Sequence, residues 1–84
     1  DRAQKVIKVF ISFMTEAETV NKDEAKDLIR AAANKLKEDG FKGKEIFQTT
    51  RLALTGTLSG PELFYIIFGL GPKETKRKLE NCVS

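Results

Sequence analysis

The stretch RLALTGTLSGPELFYIIFGLG, residues 51 to 71, decides how this chain is read. Arg51 opens an apolar run that closes on Thr55-Gly56, and a Gly60-Pro61 step opens a second, strongly apolar segment. Thr-Gly reads as a helix stop, because glycine takes up the left-handed backbone of a helix end without the Cβ penalty. Gly60-Pro61 reads as the first turn of a new helix, where the N–H that proline lacks would have found no intrahelical partner. Ser59 is placed to cap that start, with Glu62 three residues later closing a capping box. Leu63, Phe64, Ile66, Ile67, Phe68 and Leu70 then read as a core helix that ends at Gly69 or Gly71.

Upstream, residues 45 to 55 are expected to form one helix, with Ile46, Phe47 and Leu54 apolar. β-branched Thr49 and Thr50 lower helix propensity just before Arg51 and are read as a bend or a helix start. Lys42-Gly43-Lys44 is read as a short basic loop, either a solvated turn or a phosphate contact. Asn21 and Glu24 have the spacing of a capping box. The helix that follows places Ala25, Leu28, Ile29, Ala32 and Leu36 on one stripe and stops at Gly40, with Phe41 set for the apolar contact that accompanies such a stop. Residues 2 to 14 carry Val6, Val9, Phe10 and Phe13 at helical spacing, widened by Ile7, Ile11 and Met14. The two phenylalanines read as core, each contributing about 1.5–3 kcal/mol on full burial, rather than as base-stacking rings. A last helix starts at Pro72 and runs to about Asn81, with Leu79 inward and Lys73, Lys76, Arg77 and Lys78 as a basic surface. There is no strand alternation, internal repeat or low-complexity segment. The expected fold is therefore all-α, a compact bundle of about five short helices making one domain over residues 1–84.

The chain has 84 residues and a net charge of +3, with 40% hydrophobic and 32% charged residues. That composition is globular and argues against overall disorder. The mild basic excess permits a polyanionic partner without demanding one. No run of 18 apolar residues offers a membrane span. The start, Asp1-Arg2-Ala3-Gln4-Lys5, is not a signal peptide, and the missing initiator Met suggests a piece of a longer chain. Cys82 is the only cysteine and histidine is absent. This excludes an intramolecular disulfide, suits a reducing cytoplasm, and rules out a Cys/His zinc site and His-dependent triads. Cys82 reads as an incidental thiol.

No catalytic constellation is visible. Glu16 with Glu18, and Asp23 with Glu24, lack partner chemistry and read as surface or cap residues. The glycines fit neither a P-loop nor a dinucleotide fingerprint, and Gly69-Leu70-Gly71 lies between two helices. Arg51 is the residue with chemistry to explain. From the residues alone, a buried salt bridge to Glu62 or Glu74 is the readier account. The functional alternative is a planar fork of donors meeting the O2 and N3 acceptors of an unpaired cytosine. Proteins read splayed-out bases of single-stranded RNA in this way.

The blocks Arg51-Leu52-Ala53-Leu54-Thr55-Gly56, Gly60-Pro61-x-Leu63-Phe64, Leu70-Gly71 and Arg77-x-Leu79 together resemble the C-terminal anticodon-binding domain of bacterial-type glutamyl-tRNA synthetases. The stretch from Gly43 to Arg51 fits the same family, whereas residues 1 to 40 fit in layout only. The resemblance implies an all-α domain that grips the anticodon loop of glutamate tRNA. It places Arg51 on the first anticodon base, Thr55 and Gly56 in the turn shaping the pocket, and Gly60, Pro61 and Leu63 against the anticodon bases. Glu62 falls at a variable position and receives no contact. Lys42, Lys44, Lys76 and Arg77 are the candidate phosphate contacts. Thr49-Thr50 stands where Pro-Leu is usual, and Pro72 where Lys is common. The family's ATP-binding signatures are missing, so catalysis, with its ATP and magnesium, is expected on another part of the chain. No catalytic residue, metal site or cofactor is assigned here. The expected partners are glutamate tRNA and the rest of the synthetase, with the domain monomeric, off the membrane and cytoplasmic. A helix-turn-helix DNA binder, or an interaction domain that has lost tRNA binding, are the alternatives. The first would need an exposed polar recognition helix, which the segment after Pro61 does not provide.

Overall fold

Helix α1 spans Arg2–Phe13, α2 Lys22–Glu38, α3 Gly43–Thr55, α4 Leu63–Leu70 and α5 Pro72–Val83. The computed structural model describes residues 1–58 and 60–83, and there is no strand among them. α5 packs chiefly against α1, which also touches α2 and α3, while α4 lies on α2. The expected all-α, five-helix architecture is what the chain adopts.

The core follows the apolar stripes. Val6, Ile7 and Phe10 of α1 are buried with Ala25, Ile29, Ala32 and Leu36 of α2, Ile46 of α3, Ile67 of α4 and Leu79 of α5. Phe10 is core, as its spacing demanded, while Phe13 is only half-buried. The Asn21–Glu24 capping box forms with both hydrogen bonds, at 2.7 and 3.0 Å. α2 ends as predicted: Gly40 has φ +92, its N–H donates to Lys37 O, and the Phe41 N–H reaches back to Leu36 O at 3.0 Å. This is the paired hydrogen-bond stop of a glycine-terminated helix, and Phe41 is buried beneath it.

Four expectations are corrected. α3 starts at Gly43, not residue 45, so Lys42 is its N-cap and Lys44 lies in its first turn rather than in a loop. Glu45, at the third helical position, faces the backbone N–H of Lys42, a local signal for this start. The Arg2 guanidinium lies 4.2 Å over the Phe41 ring and grips Glu45 through two hydrogen bonds of 2.8 Å, fixing the carboxylate in the first turn where the helix dipole favours it. Thr49-Thr50 marks neither a bend nor a new start, and α3 runs straight through it. Thr50 is fully buried, and its hydroxyl donates to Ile46 O at 2.9 Å, so the weak helix former is satisfied within its own helix. The expected cap at Ser59 lies outside the described residues. Glu62 is instead the N-cap of α4, and Gly60, with φ +126, precedes the helix together with Pro61. Finally, α4 is not core on all sides. Leu63 and Ile67 are buried, but Tyr65 is 46% and Phe68 40% exposed, with the Lys22 ammonium over both rings.

Of the two glycines expected as the end of α4, Gly71 is the one that ends it. It has φ +83 and ψ 155, a conformation essentially confined to glycine, and its N–H donates to Ile67 O. Pro72 follows as the first residue of α5 and is buried, and Lys73 N–H donates to Ala17 O at 3.0 Å. The α4–α5 corner is thus pressed on the segment joining α1 to α2.

Two expected outcomes arise here. The Thr75 hydroxyl is buried without a hydrogen-bond partner among the described residues. A buried unsatisfied hydroxyl costs about 1–3 kcal/mol, so Thr75→Val should be tolerated and gain about 1 kcal/mol. For a domain of this size that is a Tm rise of about 4–8 °C by thermal denaturation, and a fall would show that the hydroxyl has a partner. The second concerns acid. The hydrogen bonds from Arg2 hold the Glu45 carboxyl below its ordinary value of 4.5, and the nearby positive charge acts in the same direction. A depressed carboxylate contributes stability that is present above 4.5 and is lost as the pH falls through the lowered value. The Tm difference between the parent chain and Arg2→Gln should therefore shrink on acidification below pH 4.5. The pair is exposed, so the effect at neutral pH is small.

Candidate nucleic-acid interface

Arg51 sits on α3 directly after buried Thr50, with its side chain at the surface between α2 and α4. Gly56 ends α3 in the left-handed conformation at φ +79, its N–H donating to Leu52 O at 2.8 Å. That turn brings the chain back over Arg51, and Arg51 Nη1 donates to Leu58 O at 3.3 Å. Thr55 closes its own turn by donating to Arg51 O at 2.8 Å and adds contacts to Thr57 at 3.3 Å. Arg51 makes no ion pair among the described residues, so the salt bridge offered by the residues alone does not form. Glu74 pairs instead with Arg77, one helical turn away on α5. Arg51 Nε is buried and has no hydrogen-bond partner among the described residues. The fork is thus anchored at one nitrogen and keeps unspent donors.

Arg51 faces a groove of about 540 Å³ between α2, α3 and α4. Leu63, nearly fully buried, forms part of its wall beside Glu62 and Phe64. Of the residues placed on the anticodon by resemblance, the structure therefore brings Arg51 and Leu63 into one groove. Thr55 is the last residue of α3, and Gly56, Gly60 and Pro61 lie in the exposed connection to α4; none of the four lines the groove.

The candidate phosphate cations divide. Lys42 and Lys44 are exposed at the start of α3. Lys44 lies seven residues before Arg51, so it is about 10 Å along the axis on nearly the same helix face. Lys76 and Arg77 lie elsewhere, in a separate concavity of about 450 Å³ that also presents Glu16, Glu18, Glu74 and Glu80. Lys76 pairs with Glu16 at 3.1 Å, and Arg77 pairs with Glu74. The basic surface expected on α5 is therefore a mixed one. What the sequence reading missed is the opposite wall of the Arg51 groove, where α2 contributes Lys26, Arg30, Asn34 and Lys37. Their spacing at intervals of four, four and three residues was a legible signal, a single polar stripe flanking the apolar one. Among the described residues no cluster of potential ligands could hold a metal ion, and no helix is long and apolar enough to cross a membrane.

The chain belongs to the anticodon-binding domain family: the family model described as an anticodon binding domain matches residues 1–83. It is similar to the glutamate–tRNA ligase of Pelagibacter ubique, 37% identical over 83 residues, covering 99% of this chain and 17% of that protein. It is also similar to the glutamate–tRNA ligase of Bacillus licheniformis, 34% identical over 83 residues, covering 99% of this chain and 16% of that protein. Glutamate–tRNA ligase 1 of Rubrobacter xylanophilus is 43% identical over 60 residues, covering 71% of this chain and 14% of that protein. No solved structure gives a significant match. The chain thus spans about one sixth of the length of these curated relatives. The resemblance first read from residues 43 to 79 holds across nearly the whole chain.

Proposed function

We propose that this domain reads the anticodon loop of glutamate tRNA as the C-terminal, anticodon-binding part of a glutamate–tRNA ligase. Attachment of glutamate, with its ATP and magnesium, takes place on a catalytic portion outside these residues. One copy of the domain engages one tRNA. Arg51 tests the first anticodon base with its guanidinium fork, and Leu63 backs the apolar wall of the groove that receives the base. Thr55 and Gly56 set the turn, while Gly60 and Pro61 carry the chain past the bases.

The observation that carries this reading is the state of Arg51. Its guanidinium is oriented by a carbonyl, unneutralised by any described carboxylate, and set at the rim of a groove with an apolar lining. A structural arginine is normally paired, since an uncompensated donor under cover costs about 1–3 kcal/mol. Family membership and the names of the relatives support the choice of tRNA. The test is titration with glutamate tRNA and with transcripts altered only at the first anticodon base. Tighter binding of the unaltered tRNA is expected, and equal affinity for all of them at low salt would overturn the reading.

A further inference from the structure

We propose that the α2 face across the groove from Arg51 is a phosphodiester-binding wall. Lys26, Arg30 and Lys37, with the Asn34 amide between them, hold the RNA backbone around the nucleotide whose base meets Arg51. This rests on the reading of Arg51 above and extends it to residues that no comparison assigns.

Charge and placement carry the argument. Four cations line this groove, Lys26, Arg30, Lys37 and Arg51, against one carboxylate, Glu62. On an α-helix, positions 26, 30 and 37 point within about 40° of one another, and the first and last are about 16 Å apart along the axis. That length exceeds one nucleotide step, about 3.4 Å of rise in a stacked strand. The Lys26 ammonium is held 4.6 Å over the Phe64 ring, at the groove rather than in free solvent. Arg30 pairs with Asp27 at 3.1 Å, but both side chains are largely exposed, and such a pair is too weak to withhold the cation from a phosphate. Asn34 has no hydrogen-bond partner among the described residues and adds an uncharged donor. An RNA strand alternates anionic diesters with flat bases. This groove offers cations on one wall, a base-reading fork on the other, and Phe47 and Phe64 as apolar surface between them. Lys76 and Arg77 lie instead in a concavity that also presents Glu16, Glu18, Glu74 and Glu80, so no net cationic wall forms there.

The test compares two charge-reduced forms of the 84-residue chain, each checked for helicity by circular dichroism. One is Lys26→Gln/Arg30→Gln/Lys37→Gln, and the control is Lys76→Gln/Arg77→Gln. Affinity for glutamate tRNA is measured across a salt series. Each phosphate contact on single-stranded RNA contributes about 0.7 to the slope of log K against log salt, so loss of the α2 wall should lower the slope by about 2. Affinity should fall by about tenfold or more at low salt, equally for every anticodon variant, while the control keeps its slope. If the triple variant loses helicity, Lys37→Gln alone serves, with an expected slope change of about 0.7. An unchanged slope in the α2 variant, or an equal loss in the control, overturns the proposal. So does a loss, in the α2 variant, of affinity for polyglutamate used as an acidic probe with no loss for tRNA, which would mark the wall as a site for acidic protein. Failure of the Arg51 reading looks different: the cognate-to-variant affinity ratio is then about one in the parent chain, whatever the slope does.

Discussion

Arg51→Ala is expected to erase the preference for the cognate first anticodon base while leaving the domain folded. Arg51 is half-exposed and, among the described residues, its side chain makes one long hydrogen bond, to Leu58 O, so its truncation removes little packing. A good bidentate contact to a base edge is worth about 1–3 kcal/mol of discrimination. At a factor of ten per 1.4 kcal/mol, the cognate-to-variant affinity ratio should fall by about 5- to 150-fold. Arg51→Lys separates charge from shape. The ammonium keeps the electrostatic attraction but lacks the planar fork. It should retain most of the salt slope and lose most of the discrimination. A lysine variant that still distinguishes the cognate anticodon would show that base reading lies elsewhere in the groove.

Gly71→Ala is expected to produce the largest loss of stability of any small substitution in the chain. Gly71 combines φ +83 with ψ 155, so an L-residue there is strained by about 1–3 kcal/mol before any contact is considered. A Cβ at this position would also overlap the Glu18 carbonyl oxygen and lie 2.8 Å from its carbonyl carbon. Those atoms are backbone and cannot swing away as a flexible side chain could. Relief requires the segment joining α1 to α2 to move off the α4–α5 corner, which breaks the Lys73 N–H bond to Ala17 O. That bond adds about 0.5–1.5 kcal/mol. The total of about 3 kcal/mol or more is a large fraction of the stability of a domain this small. At about 4–8 °C per kcal/mol, Tm should fall by about 12 °C or more. Gly69→Ala is the internal control. Gly69 lies within α4, has no positive φ, and a Cβ there meets nothing within 4 Å. Alanine in mid-helix is favoured over glycine by about 0.5–1 kcal/mol, so Gly69→Ala should raise Tm. The same fall at both positions would refute the packing argument.

The five helices were legible because each carries its own local code. The Asn21–Glu24 box, the Gly40–Phe41 stop and Pro72 as a first helical residue act through hydrogen bonds and steric limits within a few residues, and all three form as read. Apolar periodicity likewise placed Phe10, Leu36 and Ile67 in the core. The errors fell where distant residues intervene. α3 begins two residues early with Glu45 in its first turn, where Arg2, 43 positions away, also reaches the carboxylate. Thr50 passes as a helix interior because burial and a bond to Ile46 O outweigh its propensity. α4 exposes Tyr65 and Phe68 because α2 covers only one face of a segment apolar on every side.

The candidate site shows the same division. Arg51, the Thr55-Gly56 turn and the Gly60-Pro61 step could be singled out from sequence, since a lone guanidinium between two helix boundaries is unusual in itself. Which carboxylates would neutralise it could not, and neither could the identity of the facing wall. Glu74 pairs with Arg77 and Glu16 with Lys76, so these two cations of α5 sit among carboxylates and not in a clear basic patch.

By itself the sequence determined the helical class, the helix stops at Gly40 and Gly56, the inward faces of α1 and α2 and the family resemblance. These depend on residue type and on spacing along one stretch of chain. Only the tertiary structure decided that Gly71 rather than Gly69 ends α4, that Arg51 stays unpaired, and that α2 supplies the cations facing it. Those outcomes depend on which segments approach one another in space: a carbonyl at Glu18 that leaves no room for a Cβ, and a helix stripe whose charges have a groove to line only once α3 and α4 are packed beside it.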